Sequence, residues 1–379
     1  MSIDDLQGEP EAETVPAGWW KLATPIRGHG PAVERPVLAE LVAEITEWLG
    51  DLPERLDCLR QLFPDDDTTL YELADSYLRD PDSARPESAA AAGLFLAQVT
   101  TSPSLAHYLA ANHGLPYAAQ TMALLSELTL TDHRKAKVGT LDQEAPIPLP
   151  IFGTTELLDP HIRELRELLA AATDDEYAEA RTRLAAIRTR SAHARLAASY
   201  LVPTEQDWVA ADIELTGWAV SDELAAARLL TTVRDIDLAH ALVDRIAPRI
   251  IDGDPRIRYS LGVNLGLDVP PILGTLYRRT RDPEARKGIA TMLLELDTHE
   301  GDAELTHLAG DEHVDEALAK VVELRPRRAF WLLGNGALSG QTDALFRIRI
   351  RHDPEYARAV VDWLPQAMAA IVREELAQL

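Results

Sequence analysis

A single cysteine, Cys58, stands in a chain of 379 residues. That excludes an intrachain disulfide framework and any cysteine-based metal cluster. Cys58 lies in Leu56-Asp57-Cys58-Leu59, on an apolar helical face with no histidine close in sequence. It is expected to be a buried structural thiol, not a nucleophile. Aromatic residues make up only 6% of the chain, and strand-type apolar runs are scarce. Alanine, leucine, arginine and glutamate dominate, which favours an all-helical protein. No run of about 18 apolar residues occurs, so no helical membrane span is expected. Met1–Glu13 is acidic and lacks a basic and apolar signal pattern, and the reading is cytoplasmic. Neither a Walker-type phosphate loop nor a GxSxG elbow is present. Positive charge is also short. Lys and Arg number 37 against 62 Asp and Glu, a net charge of −25. Such a chain is repelled by duplex nucleic acid and by anionic membranes. The deficit is steepest early, where the first hundred residues hold 20 acidic and 7 basic side chains.

What is present is a succession of short amphipathic helices closed by Pro, Gly and Asp turns. The plainest statement of it is at residues 248–300. Asp254-Pro255-Arg256-Ile257-Arg258 opens one apolar segment, and Asp282-Pro283-Glu284-Ala285-Arg286 opens another 28 residues later. Each reads as Asp at the N-cap, Pro at the first helical position and Arg in the first turn. Asp353-Pro354-Glu355-Tyr356-Ala357-Arg358 is a weaker third copy. This pattern resembles the helix–turn–helix unit of HEAT-type repeats. The resemblance implies an all-α, irregular HEAT-like α-solenoid of short paired helices. Residues 175–208, from Asp175-Glu176-Tyr177 to Gln206-Asp207-Trp208, are similar to helical regions of uncharacterised bacterial molybdate-regulator-like proteins.

Composition suggests four segments. Residues 1–35 read as a disordered or extended N-terminal arm, and 36–130 as an N-terminal helical half. Residues 131–160 read as a Pro-rich linker or surface loop, because Ala145-Pro146-Ile147-Pro148-Leu149-Pro150 is unfit for a helix interior. Residues 161–379 read as the helical array. Within these, Val37–Leu49 and Pro53–Phe63 are predicted as separate helices, and Gly334–Gly340 as a glycine-rich turn.

Candidate chemistry is thin. Asp65-Asp66-Asp67 lacks the further carboxylate of a DDxxD diphosphate site and reads as a solvated turn. Glu304-Leu305-Thr306-His307 places an acid and an imidazole on one helix face, but Asp237-Leu238-Ala239-His240 is a poor second copy. No metal ligands, catalytic residues or cofactor are therefore assigned. The candidate binding residues are Arg256, Arg258, Arg278, Arg279, Arg286, Arg327 and Arg328, with Trp19 and Trp20 from the N-terminal arm. Arg258 and Arg286 are equivalent by the repeat and would stack in a row. Such a row has two readings. It ties neighbouring repeats by bonding carbonyls and Asp caps, or it lines a groove. The leading functional expectation is a non-catalytic scaffold for a protein partner, with a nucleic-acid-binding or base-acting protein as the alternative.

Overall fold

The computed structural model describes residues 11–62, 68–97, 104–131, 137–140, 154–214, 223–246, 248–338, 340 and 342–379. The Asp65-Asp66-Asp67 turn and the proline run at 145–150 lie outside them. The described chain is helical apart from one two-stranded antiparallel hairpin, and it divides into two compact units. No described helix is long and apolar enough to cross a membrane.

One unit is Ala23–Ile246. Its helices are α1 (Ala39–Leu62), α2 (Thr68–Arg79), α3 (Pro86–Leu96), α4 (Ser104–His113) and α5 (Leu115–Leu125). The hairpin of β1 (Leu128–Thr131) and β2 (Lys137–Thr140) follows, with Leu128 opposite Thr140. Then come α6 (Thr154–Ala170), α7 (Asp174–Ile187), α8 (Ala192–Leu201), α9 (Gln206–Glu214), α10 (Glu223–Leu230) and α11 (Ile236–Val243). Helix α5 sits at the centre, packed against α3, α4, α6, α7 and α8. Its sequence explains why. Ala118, Ala119 and Ala123 are fully buried, and small side chains let helix axes approach from several sides. Helix α3, PESAAAAGLFL, is buried from Ser88 to Leu96 for the same reason.

Two expectations need correction in this unit. The first two predicted helices are one, because α1 runs through Pro53. Proline removes one hydrogen bond, at a cost of about 3 kcal/mol. Ile45, Leu52 and Leu56 nevertheless keep one face, each at most 1% exposed, and burying each is worth about 1.5–3 kcal/mol. The packing wins. Similarly, α6 starts at Thr154 and carries Pro160 inside it, where the sequence reads as linker or loop up to residue 160. Cys58 falls within α1, its side chain outside those described.

The other unit joins Met1–Leu22 to Ala247–Leu379. It contains α12 (Pro248–Gly253), α13 (Pro255–Leu265), α14 (Pro270–Arg279), α15 (Pro283–Glu295), α16 (His299–His307) and α17 (Glu312–Leu324). After these come α18 (Pro326–Leu338), α19 (Asp343–His352), α20 (Pro354–Val360) and α21 (Gln366–Leu376). From α14 to α18 each helix packs on the next and on the next but one, and α13 packs on α15. That produces two layers, α13–α15–α17 and α14–α16–α18. The caps are those the sequence announces. Asp254, Asp282 and Asp353 each accept a hydrogen bond from a first-turn amide, with proline at the start of the helix. Thr298 and Asp311 cap α16 and α17 in the same way.

The predicted turn at Gly334–Gly340 is mostly helix, since α18 continues to Leu338. Gly334 is there for close approach. A Cβ on it would lie 2.6 Å from Met368 Sδ of α21. The N-terminal segment uses the same device. Trp19 is 2% exposed and meets Tyr259 edge-on, with ring centroids 6.0 Å apart. Its indole Nε1 donates to Glu295 Oε2 at 2.8 Å.

A Cβ at Gly262 would sit 2.5 Å from the Trp19 ring. Gly262→Ala is therefore expected to destabilise this unit by about 1–3 kcal/mol in urea unfolding. Adding Trp19→Ala should make the two changes less than additive. Full additivity would show that the tryptophan is not seated on this glycine.

Candidate functional site

The sequence-derived candidates do not form one surface. Arg258 is 6% exposed, and its Nη1 donates to the Ile251 carbonyl at 3.1 Å. Burial pushes its pKa down, with the nearby charges opposing. Arg286, its repeat equivalent, donates through Nε to the Thr280 carbonyl and through Nη1 to Asp311 Oδ2 at 2.9 Å. Its guanidinium lies over Tyr277, whose hydroxyl donates to the same Asp311. Arg328 is 3% exposed and turned inward. Arg256 and Arg327 are exposed, and Arg279 is half-buried. Arg278 is exposed and donates to Glu304 Oε1 at 2.8 Å. Trp19 is buried, as described, and Trp20 is half-buried.

One buried charge cluster in this unit centres on Asp302, an acid the sequence did not single out, and takes in Arg328. Asp302 of α16 has no exposed surface. It accepts from Arg325 Nη1 at 2.7 Å and from Arg328 Nη1 at 3.2 Å. Arg325 also donates to the Leu294 carbonyl at 2.6 Å, so three consecutive helices meet at one guanidinium. Asp297, which approaches both arginines, takes a left-handed φ of 52° to end α15. Such a conformation costs about 1 kcal/mol or more outside glycine. Two cation contacts help hold it there.

Between them α16 and α18 leave a shallow cavity of about 240 Å³. Its walls are His299, Ala303, Thr306 and His307 from α16, with Leu332, Asn335 and Gly336 from α18. The spacing on each helix is that of one face. Glu304 stands 3.9 Å from His307 but is held by Arg278. Among the described residues no three His, Cys, Asp or Glu side chains converge on a point.

The unit Ala23–Ile246 carries two further charged clusters. In the first, His107 is fully buried. Its Nδ1 accepts from the Leu38 amide at 3.0 Å, which leaves Nε2–H to donate to Glu164 Oε1 at 3.0 Å. Arg35 grips the same carboxylate through Nε and Nη2, both at 2.8 Å. In the second, Asp212 is fully buried beneath Arg188 and Arg195. Its Oδ1 accepts from Arg188 Nη2 at 2.8 Å and from Arg195 Nε at 2.7 Å. Its Oδ2 accepts from Arg188 Nη1 at 3.0 Å and from Ser199 Oγ at 2.5 Å. Arg188 stacks 4.6 Å over the Trp208 ring. These are tertiary pairings between residues far apart in sequence, and no local motif marks them.

Burial works to raise the pKa of Glu164. The hydrogen bonds from His107 and Arg35 outweigh it and hold the carboxyl at about 2. A depressed folded-state pKa adds stability above the unfolded value near 4.5, lost as pH falls toward 2. Glu164→Gln is expected to destabilise the protein by up to about 3 kcal/mol near neutrality. The gap between variant and parent should close as pH drops through that window, read by denaturant titration at several pH values. A gap independent of pH would mean that the carboxylate charge is not what stabilises.

No curated protein and no solved structure matches the chain in searches against them. A protein family does match, over residues 55–248, just over half of the chain and almost wholly inside the unit Ala23–Ile246. That family is the YehI second domain, and the chain belongs to it.

Proposed function

We propose that this protein is a non-catalytic scaffold whose C-terminal unit is an irregular HEAT-like solenoid that holds a protein partner. The observation that carries the reading is the packing register of α14–α18, each helix against the next and the next but one, with α13 against α15. Stacking of that kind covers a core with sequence neighbours alone and leaves one layer's outer face as a continuous strip. The cavity lies between α16 and α18, two members of one layer. Its histidines, asparagine and small apolar residues suit a mixed polar and apolar contact.

Charge use supports the same reading. Arg258, Arg286, Arg325 and Arg328 bond carbonyls and carboxylates of their own unit. Side chains spent this way act as fasteners between helices, and Arg258 and Arg328 are too buried to reach a partner. The alternative, a nucleic-acid-binding or base-acting protein with an arginine-lined groove, loses its central members by that burial. A cytoplasmic location is part of the proposal, resting on the single cysteine. Residues 175–208 fall inside the matched family segment.

The test is affinity capture from the native host with the full chain and with His307→Glu/Asn335→Arg. Both positions line the cavity, and His307 is exposed. The expected result is one stoichiometric protein captured by the parent and reduced at least about tenfold with the double variant, at unchanged melting temperature. A tenfold loss corresponds to about 1.4 kcal/mol, modest for an interface centre. Equal capture by both chains would place the contact elsewhere, and capture of nucleic acid alone would overturn the scaffold reading.

A further inference from the structure

The arginine pair over Asp212 has a second side. Arg195 spends only Nε on Asp212, and its two Nη groups make no hydrogen bond or ion pair with the described residues. Arg188 uses Nη1 and Nη2 on Asp212, Ser199 and the Arg195 carbonyl, and its Nε has no such partner. Both residues line a cavity of about 290 Å³ with Ala185, Thr189 and Trp208. None of those five is acidic. Two guanidiniums face one buried carboxylate, so the lining carries one uncompensated positive charge.

This is out of keeping with its surroundings. Elsewhere on α7 and the turn after it, arginines have acids of their own. Arg181 meets Glu205 at 3.4 Å, Arg183 meets Glu179 at 2.6 Å, and Arg190 meets Glu127 at 3.3 Å. In a chain of net charge −25 a pocket of donors without an acceptor is an exception. The donors are also fixed in place. Asp212 anchors both arginines from beneath, and Trp208 stacks on Arg188. Their side-chain entropy is therefore already lost before any ligand arrives.

We propose that this pocket binds a small organic monocarboxylate with a flat or apolar body. The carboxylate would take the free edge of Arg195, with Arg188 Nε beside it, as planar guanidiniums favour. One negative charge neutralises the surplus of one, where a phosphate dianion would overshoot it. Trp208 and Ala185 offer apolar wall for the body of the ligand. The volume lies at the small end of ligand pockets, which begin at about 300 Å³. The inference is independent of the scaffold reading, since it concerns the other unit and needs no protein partner.

The probe is benzoate, titrated into the full chain at low ionic strength by calorimetry and ligand-observed NMR, with benzamide and inorganic phosphate alongside. The expected result is saturable binding of benzoate with one site, and little binding of benzamide or phosphate. Arg195→Gln should weaken it about tenfold or more, and Arg195→Lys should weaken it too, because one ammonium cannot hold Asp212 and present a planar pair of donors. If Arg195→Gln does not fold, Thr189→Glu serves instead. It puts a carboxylate at the exposed rim, leaves the Arg188–Asp212 pair untouched and should abolish benzoate binding. Absence of saturable benzoate binding overturns the proposal. So does equal binding of benzamide, preference for phosphate, or unchanged affinity in both variants.

Discussion

The structure depends on arginine turned inward to bond the ends of neighbouring helices. A helix leaves its last carbonyls unpaired, and a short-helix protein has many such ends. Here guanidiniums supply the missing donors. Arg258 reaches the Ile251 carbonyl, Arg286 the Thr280 carbonyl, and Arg325 the Leu294 carbonyl. Arg166 does the same in the other unit, bonding Pro25 O and Thr231 O while lying 4.7 Å over Tyr200. An isolated guanidinium is costly to bury. Several hydrogen bonds to Arg166 and Arg325, and a carboxylate such as Asp302 or Asp212 for the closest pairs, are what make the burial tolerable, while Arg258 has one carbonyl and a buried Nε with no hydrogen-bond partner.

That constraint also shapes how such a protein tolerates change. Taking away one member of a buried pair leaves an uncompensated charge, which costs several kcal/mol more than the pair itself contributes. The clusters around Asp302 and Asp212 are thus points of geometric precision, not sources of large net stability. The apolar stabilisation sits elsewhere. In the unit Ala23–Ile246 it runs through the alanine-rich α3 and α5. At the C-terminal end it is aromatic, where Phe330 meets Phe346 at 5.1 Å and Tyr356 at 5.3 Å between ring centroids.

The helix starts were legible because caps are local. Asp254, Asp282 and Asp353 announce themselves through the proline that follows, and each bonds an amide within three residues. Prolines and glycines inside helices were misread for the opposite reason. Pro53 and Gly334 act through partners far away, the buried face of α1 and the Met368 side chain, and local rules see only the breaker. The hairpin β1–β2 is four residues a side and gave no alternating pattern long enough to read.

Legibility failed most completely for the charged clusters. The repeat made Arg258 and Arg286 equivalent, and the structure gives both a carbonyl of the preceding turn. Beyond that they diverge, because only Arg286 has a capping aspartate from a later helix, Asp311, within reach. Equivalence in sequence therefore fixes the backbone job of an arginine and leaves its outer nitrogens to whatever the next helix offers. Asp212 shows the consequence. It takes Nε of Arg195 and both Nη groups of Arg188, and the nitrogens left over belong to two arginines that line one cavity. Where a chain this acidic leaves guanidinium donors unmatched, the shortage of acceptors is local and is set by packing, and that is a feature only coordinates disclose.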